Sequence, residues 1–263
     1  MRVLCVGDVF APSGVETVLN LLPKIKRREN IDLCIVNGEN SAIGNGVTKE
    51  SAELIFSAGA DVITGGNHSF RQESVHTYYE QNPCLLRPHN IEFAYGGGYV
   101  LYDMGKYQAA VINLSGQIGL QKTEAANPFS AAEELVARAK NDGAKFIFVD
   151  FHAEMTSEKR ALGFFLDGKV SAVFGTHTHV QTADSQVLPQ GTGYITDLGM
   201  TGVVQSILGV KKEIIINRLK DNDMSKFEPA VGECALSGCI FDIDEQTGLC
   251  LSARIINERA GEN

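Results

Sequence analysis

The 263-residue sequence has no apolar run approaching the roughly 18 residues of a membrane-spanning helix and no C-x-x-C pair among its six cysteines. Val3 to Val6 is too short for a signal-peptide core before Gly7 and Asp8 interrupt it, so the expected location is cytoplasmic and no membrane partner is expected. Cys5 and Cys34 fall inside apolar runs, where cysteine behaves as a small hydrophobe, and all six are read as reduced thiols. Positive charge is also short: 23 Lys and Arg stand against 32 Asp and Glu, a net charge of -9. A long nucleic-acid duplex would be repelled at distance, whereas a small anion can still bind at a local positive site. Neither G-x-G-x-x-G nor G-x-S-x-G occurs, which removes the dinucleotide fingerprint and the nucleophile elbow. Gly163 to Lys169 imitates the start of a P-loop, but Val170 stands where Ser or Thr is needed, and the segment joins a helix to a strand. There is no repeat, low-complexity tract or long Pro, Gly or Ser-rich linker, so residues 1–263 read as a single domain. A chain of this length buries roughly 70 to 75% of its unfolded surface, which leaves any metal free to be chemical rather than structural.

What is present is an alternation of short apolar runs with amphipathic segments, the pattern of an α/β fold. Strands are expected at Val3 to Val6, Leu33 to Val36 and Val62 to Thr64, and right-handed crossovers make them parallel. Helices are expected around Gly14 to Arg28 and Lys49 to Ser57, the second capped by Thr48 and closed by Gly59. Further strands follow at Tyr99 to Tyr102, Ala109 to Asn113, Phe146 to Phe151 and Val170 to Phe174, with helices at Ala131 to Lys140 and Ser157 to Leu166. Cys234 to Ile243 and Leu249 to Ile256 read as a closing antiparallel hairpin.

Five of these strands end in metal-ligand chemistry: Gly7-Asp8, Asn37-Gly38-Glu39-Asn40, Gly65-Gly66-Asn67-His68, Asp150-Phe151-His152 and Gly175-Thr176-His177-Thr178-His179. The carboxyl ends of parallel strands lie along one edge of an α/β sheet, so these residues can converge. Asp8 alone would read as a cap or turn residue. Together the carboxylates, amide and imidazoles, with no thiolate, suit divalent Fe, Mn or Zn. Two ions suit the set better than one, because a carboxylate such as Glu39 can bridge them. His177 and His179, with His152 beside them, are favoured as ligands over loop histidines. His76 is placed on a helix surface, His89 is unassigned, and Lys24, Lys26, Arg27 and Arg28 read as a solvated helix end.

In this order the blocks resemble those of the calcineurin-like metallophosphoesterases. Asn37-Gly38-Glu39-Asn40, Asp150 to Glu154, Thr156-Ser157-Glu158-Lys159, Gly175 to Asp184 and Tyr194 to Gly202 resemble the bacterial YmdB-like branch, a group of cyclic-nucleotide phosphodiesterases. The resemblance runs from Arg2 to about Val210 and implies a layered sandwich of two mixed β-sheets flanked by helices. It also implies one metal at Asp8, Glu39, Asn40 and His179, a second at Glu39, Asn67, His152 and His177, and His68 as the catalytic group that binds no metal. Phe10 and Glu39 stand where the wider superfamily has His and Asp, changes the branch shares. Phe10 to Gly14 and Gln117 depart from the branch's Gly- and Arg-containing segments.

The expected reaction is hydrolysis of a small phosphodiester, foremost a 2',3'-cyclic nucleotide, by two divalent ions with a bridging hydroxide, Fe or Mn before Zn, while His68 protonates the leaving oxygen. Homo-oligomerisation stays open. The rival reading is a metal-stabilised nucleotide- or RNA-associated regulatory protein with little turnover, and a binuclear amide hydrolase stands third.

Overall fold

A computed structural model describes residues 1–93, 95–120 and 124–260. The chain begins with β1 (Arg2–Val6), β2 (Asp8–Val9), α1 (Ala11–Glu29), β3 (Leu33–Asn37), α2 (Lys49–Ser57), β4 (Val62–Thr64) and α3 (His76–Gln81). It continues through β5 (Tyr99–Asp103), β6 (Gln108–Ser115), α4 (Pro128–Asn141), β7 (Phe146–His152), α5 (Thr156–Phe165) and β8 (Ala172–Thr176). Last come β9 (Gln186–Val187), β10 (Gly193–Ile195), β11 (Met200–Val203), α6 (Lys212–Asp221), β12 (Cys234–Ile243) and β13 (Cys250–Arg259).

Two mixed sheets result. One runs β2-β11-β12-β1-β3-β4 with β13 paired to β12, and the other runs β5-β6-β7-β8-β10-β9. The expected parallel pairing holds for β1 with β3 and for β3 with β4. Residues 3 and 5 of β1, 33 and 35 of β3, and Phe241 of β12 bury one face of the first sheet against Val111, Phe148 and Phe174 of the second. On the outer face of the first sheet, α1 and α2 pack through Val18, Leu22 and Ile55. On that of the second, α4 and α5 pack through Leu135 and Leu162. The layered α/β sandwich is thus the observed fold. The strand β7, covered on both faces, is a continuous buried run, the composition a parallel interior strand requires.

The differences from the sequence expectation have local causes. The first helix starts three residues earlier than Gly14, because Pro12 sits in its first turn, where a missing N–H costs nothing. The strand β8 ends two residues later, since Gly175 and Thr176 continue the ladder opposite Phe151 and His152. The C-terminal hairpin is antiparallel as expected, yet β12 also pairs with β1 and β11, so the hairpin completes the sheet from within. Thr48 caps α2 as expected, in a reciprocal capping box with Ser51. All six cysteines are free thiols.

Candidate metal centre

The five strand ends meet at one edge of the two sheets. Asp8 follows β1, Glu39 and Asn40 follow β3, Asn67 and His68 follow β4, His152 ends β7, and His177 and His179 follow β8. Asp8, Glu39, Asn40 and His152 are almost wholly buried.

Around His152 the hydrogen-bond pattern fixes the tautomer. The Thr176 hydroxyl donates to Asp150 Oδ1 at 2.7 Å, so at 2.9 Å from His152 Nδ1 it accepts, and the ring proton sits on Nδ1. The unprotonated Nε2 then faces three more acceptors: Asn67 Oδ1 at 2.9 Å, His177 Nδ1 at 3.1 Å and Glu39 Oε1 at 3.4 Å. His177 is oriented in the same way, because its Nε2 lies 3.0 Å from Glu154 Oε2 and leaves Nδ1 as the free lone pair. Four lone-pair donors therefore point at one another with no proton between them, an arrangement that a cation stabilises. The ligand atoms of Glu39, His152 and His177 lie within 4.8 Å of one another.

Beside this cluster, Asp8 Oδ2 accepts the His177 backbone N–H at 3.1 Å, while Asp8 Oδ1 is buried without a hydrogen-bond partner among the described residues. An orphaned buried carboxylate oxygen costs several kcal/mol unless a charge meets it (roughly 1–3 for the hydrogen bond alone). His179 Nε2 lies 3.7 Å from that oxygen and 3.3 Å from the Asn40 amide nitrogen. Asn40 directs that nitrogen to Glu39 Oε1 at 2.7 Å and its oxygen to His68 Nδ1 at 3.0 Å, so ligation of an ion through its oxygen requires the amide to turn over. The donor set fits divalent ions of N and O preference, with the residues around His152 already arranged and Asp8, Asn40 and His179 close by.

Charge follows the same logic. Burial, then the negative charges of Glu39 and Asp197, push the Asp8 carboxyl well above its usual range. Burial pushes the imidazoles of His152, His177 and His179 down, toward the neutral form a metal ligand needs. Burial works against ionisation of Glu39 too, but the hydrogen bonds it receives from His68 help to hold that carboxyl below the ordinary range. Behind the ligands, burial raises Asp150 to about 6 despite hydrogen bonds from Thr64, Asn37 and Thr176.

The loop carrying His177 and His179 is held in costly backbone geometry, with φ of 103° and 63° at the two histidines. Asp197 restrains the residue between them: it accepts Thr178 N–H at 3.1 Å and Thr178 Oγ1 at 2.7 Å, and pairs with Lys159 at 2.7 Å. Both members of that ion pair are 1% exposed. Removing the cation strands a buried carboxylate, so Lys159→Met is expected to lower unfolding stability by about 3–5 kcal/mol in urea denaturation. A loss below about 1 kcal/mol would contradict this role. Gly66 is required for another reason, since a Cβ there would sit 2.2 Å from Glu39 Oε2 and 2.4 Å from the His152 ring.

In front of the cluster opens a cavity of about 800 Å³. Glu39, Asn40, His68, His177 and His179 line it. The sequence reading did not single out Glu154, Arg71 or the 207–229 stretch, which also line it. Glu154 reads alone as an exposed loop acid, and only the folded position of His177 gives it a partner. Arg71, three residues past His68, is a cation that could have been noticed by that proximity. His89 is half-buried outside the cavity, its backbone N–H bonded to Asn113 O at 2.8 Å. His76 is not a simple surface residue: it stacks on Tyr95 at 5.2 Å and meets Phe93 edge-on at 5.1 Å. Neither His76 nor Cys234 lines the cavity. His76→Ala and Cys234→Ala are expected to leave turnover per folded molecule within about twofold of wild type; a large fall at unchanged metal content would redraw the boundary of the site.

The family described as YmdB-like protein matches residues 4–256. The Bacillus subtilis (strain 168) 2',3'-cyclic-nucleotide 2'-phosphodiesterase is 45% identical over 248 residues, covering 94% of this chain and 93% of that protein. The crystal structure of a Mycoplasma pneumoniae phosphatase is 32% identical, with a TM-score of 0.92 over 98% of this chain and 93% of the other. The 5'-nucleotidase precursor of Thermus thermophilus, 11% identical, has a TM-score of 0.61 over 98% of this chain and 54% of its own, a likeness of fold alone.

Proposed function

This chain belongs to the YmdB-like family, and from that premise we propose that it is a metal-dependent phosphodiesterase, working as one metallophosphoesterase domain, that hydrolyses small phosphodiesters and in particular 2',3'-cyclic nucleotides. The observation that carries the proposal is the set of converging, proton-free donors around His152 Nε2, with the orphaned Asp8 oxygen beside it, of which Glu39 and His177 line the cavity. The B. subtilis relative supports the substrate class.

In this reading Asp8, Glu39, Asn40 and His179 hold one divalent ion, and Glu39, Asn67, His152 and His177 hold a second, Mn or Fe before Zn. Such ions supply Lewis-acid polarisation of the phosphoryl group and a water of lowered pKa. The chain's own residues do the rest. Thr176 and Glu154 hold the His152 and His177 rings in their ligating tautomers. Arg71 adds a positive charge to the cavity that receives the phosphate. His68 Nδ1 lies 3.3 Å from Glu39 Oε1, and the ring lines the cavity, so Nε2 remains to carry a proton to the leaving oxygen. Water gives its oxygen to phosphorus, the bond from phosphorus to O2' breaks, the proton from Nε2 completes the 2'-hydroxyl of a 3'-monophosphate, and the proton that the water sheds restores Nε2.

The test is turnover of adenosine 2',3'-cyclic monophosphate by manganese-loaded protein, with adenosine 3'-monophosphate as the expected product. Protein that binds the nucleotide but hydrolyses none of a panel of phosphodiesters would instead be a nucleotide-binding regulator.

A further inference from the structure

The cavity has one wall that metal-centred phosphodiester chemistry does not require. It comes from the 207–229 stretch, which leaves the sheet after β11 and returns before β12. Phe10, Ala11 and Val210 are buried together, with Ile214 and Ile215 of α6 packed on them, and the Lys211 N–H bonds Glu228 O at 3.0 Å. The stretch is thereby pinned to the body of the protein beside the site. Its cavity face carries Ile207, Leu208 and Phe227, opposite a polar floor of Glu39, His68 and His177.

Phe227 is the unusual member. It lines the cavity, is 56% exposed, and belongs to no buried cluster. One ring face is covered by Arg218, whose guanidinium carbon lies 4.2 Å from the ring centroid. Arg218 is itself held by its Nη2 bond to Ser225 O at 2.7 Å. The ring is therefore braced on one face by a fixed cation while the side chain lines the cavity. A braced aromatic face at the edge of a phosphate site is what a nucleobase stacks on, and the cation behind the ring adds to that attraction. A phosphoryl group with its two ester oxygens also leaves most of an 800 Å³ cavity empty, whereas a complete nucleotide is of the size such cavities accept.

We propose that Phe227, braced by Arg218, is the nucleobase-stacking subsite of this enzyme and the residue that makes it prefer nucleoside cyclic phosphates to phosphodiesters without a base. The proposal rests on the phosphodiesterase reading and adds to it the part of the substrate that is recognised. Stacking is offered to every base, so the subsite accepts purines and pyrimidines alike, purines more tightly.

The experiment measures kcat/KM for adenosine 2',3'-cyclic monophosphate and for ethylene phosphate, a five-membered cyclic diester with no aromatic ring to stack on that wall. Phe227→Leu keeps the apolar volume without an aromatic face, and Phe227→Tyr keeps the face. The Leu variant is expected to lose about tenfold or more in the ratio of the two kcat/KM values, through KM of the nucleotide, and the Tyr variant is expected to restore it. An unchanged ratio in the Leu variant, or equal losses with Leu and Tyr, overturns the proposal. Should wild type hydrolyse neither compound, the phosphodiesterase reading is what has failed. The subsite is then judged by calorimetric affinity for adenosine 3'-monophosphate over ribose 5-phosphate. A preference lost with Leu and kept with Tyr supports it, and no preference in wild type overturns it.

Discussion

Glu39→Ala is expected to abolish turnover almost completely and to strip the protein of both metal ions at once. The carboxylate is 1% exposed and sits where the two ligand groups adjoin: Oε1 lies 3.4 Å from His152 Nε2 and accepts the Asn40 amide, while Oε2 accepts the His68 backbone N–H at 3.0 Å. In the proposed centre, removing it takes a ligand from each ion and the negative charge that offsets their mutual repulsion. It also releases His68 and Asn40 from their common anchor. Metal analysis of the folded variant, with circular dichroism as the check on folding, measures the effect. A folded Glu39→Ala protein that retained both ions and near wild-type activity would remove the binuclear assignment.

His68→Ala should separate acid catalysis from metal binding. The imidazole bonds Asn40 Oδ1 at 3.0 Å and Glu39 Oε1 at 3.3 Å through Nδ1, the atom that faces the ligands, so its task in the proposed reaction falls to Nε2. General acid catalysis contributes about 10² to 10⁴ in rate, and most where the leaving group is poor. A ribose alkoxide leaves poorly, whereas a nitrophenolate departs as a stabilised anion. The variant is therefore expected to keep its ions, to lose about 10²-fold or more on a 2',3'-cyclic nucleotide, and to lose far less on a nitrophenyl phosphodiester. Equal losses on both substrates with metal retained would make His68 a phosphate-positioning group, and loss of metal would make it a ligand. A histidine that merely capped the following segment would change stability alone.

The parts of the molecule legible in the sequence are those where local chemistry and periodicity agree. The strands β1, β3 and β4 are apolar runs that stop at polar residues, β7 is one broken only by Asp150 near its end, and a parallel sheet places such stops along one edge. Asp8, Glu39, Asn67, His152 and His177 could thus be gathered from five distant positions before any coordinates. Partnerships that depend on long-range register could not. Lys159 and Asp197 are 38 residues apart and meet only because α5 packs behind β8 and the loop after β10. The position of β12 beside β1 is set by pairing across more than 230 residues of chain. The cavity wall was invisible for a different reason: α6 buries none of its residues completely, so its apolar pattern carries no strong signature of a core-facing helix. Glu154 and Phe227 acquire meaning only from what the fold sets against them, a ligand histidine in one case and an arginine in the other.

The account stands most directly on a metal titration of the stripped protein. Protein freed of metal by a chelator would be given increasing manganese, with bound metal per chain and hydrolysis of adenosine 2',3'-cyclic monophosphate followed on the same samples. The expected result is no turnover without metal and full turnover as occupancy reaches two ions per chain. Full turnover in chelator-treated protein shown to be metal-free, or saturation of activity at a single ion, would contradict a binuclear centre built from the strand-end residues.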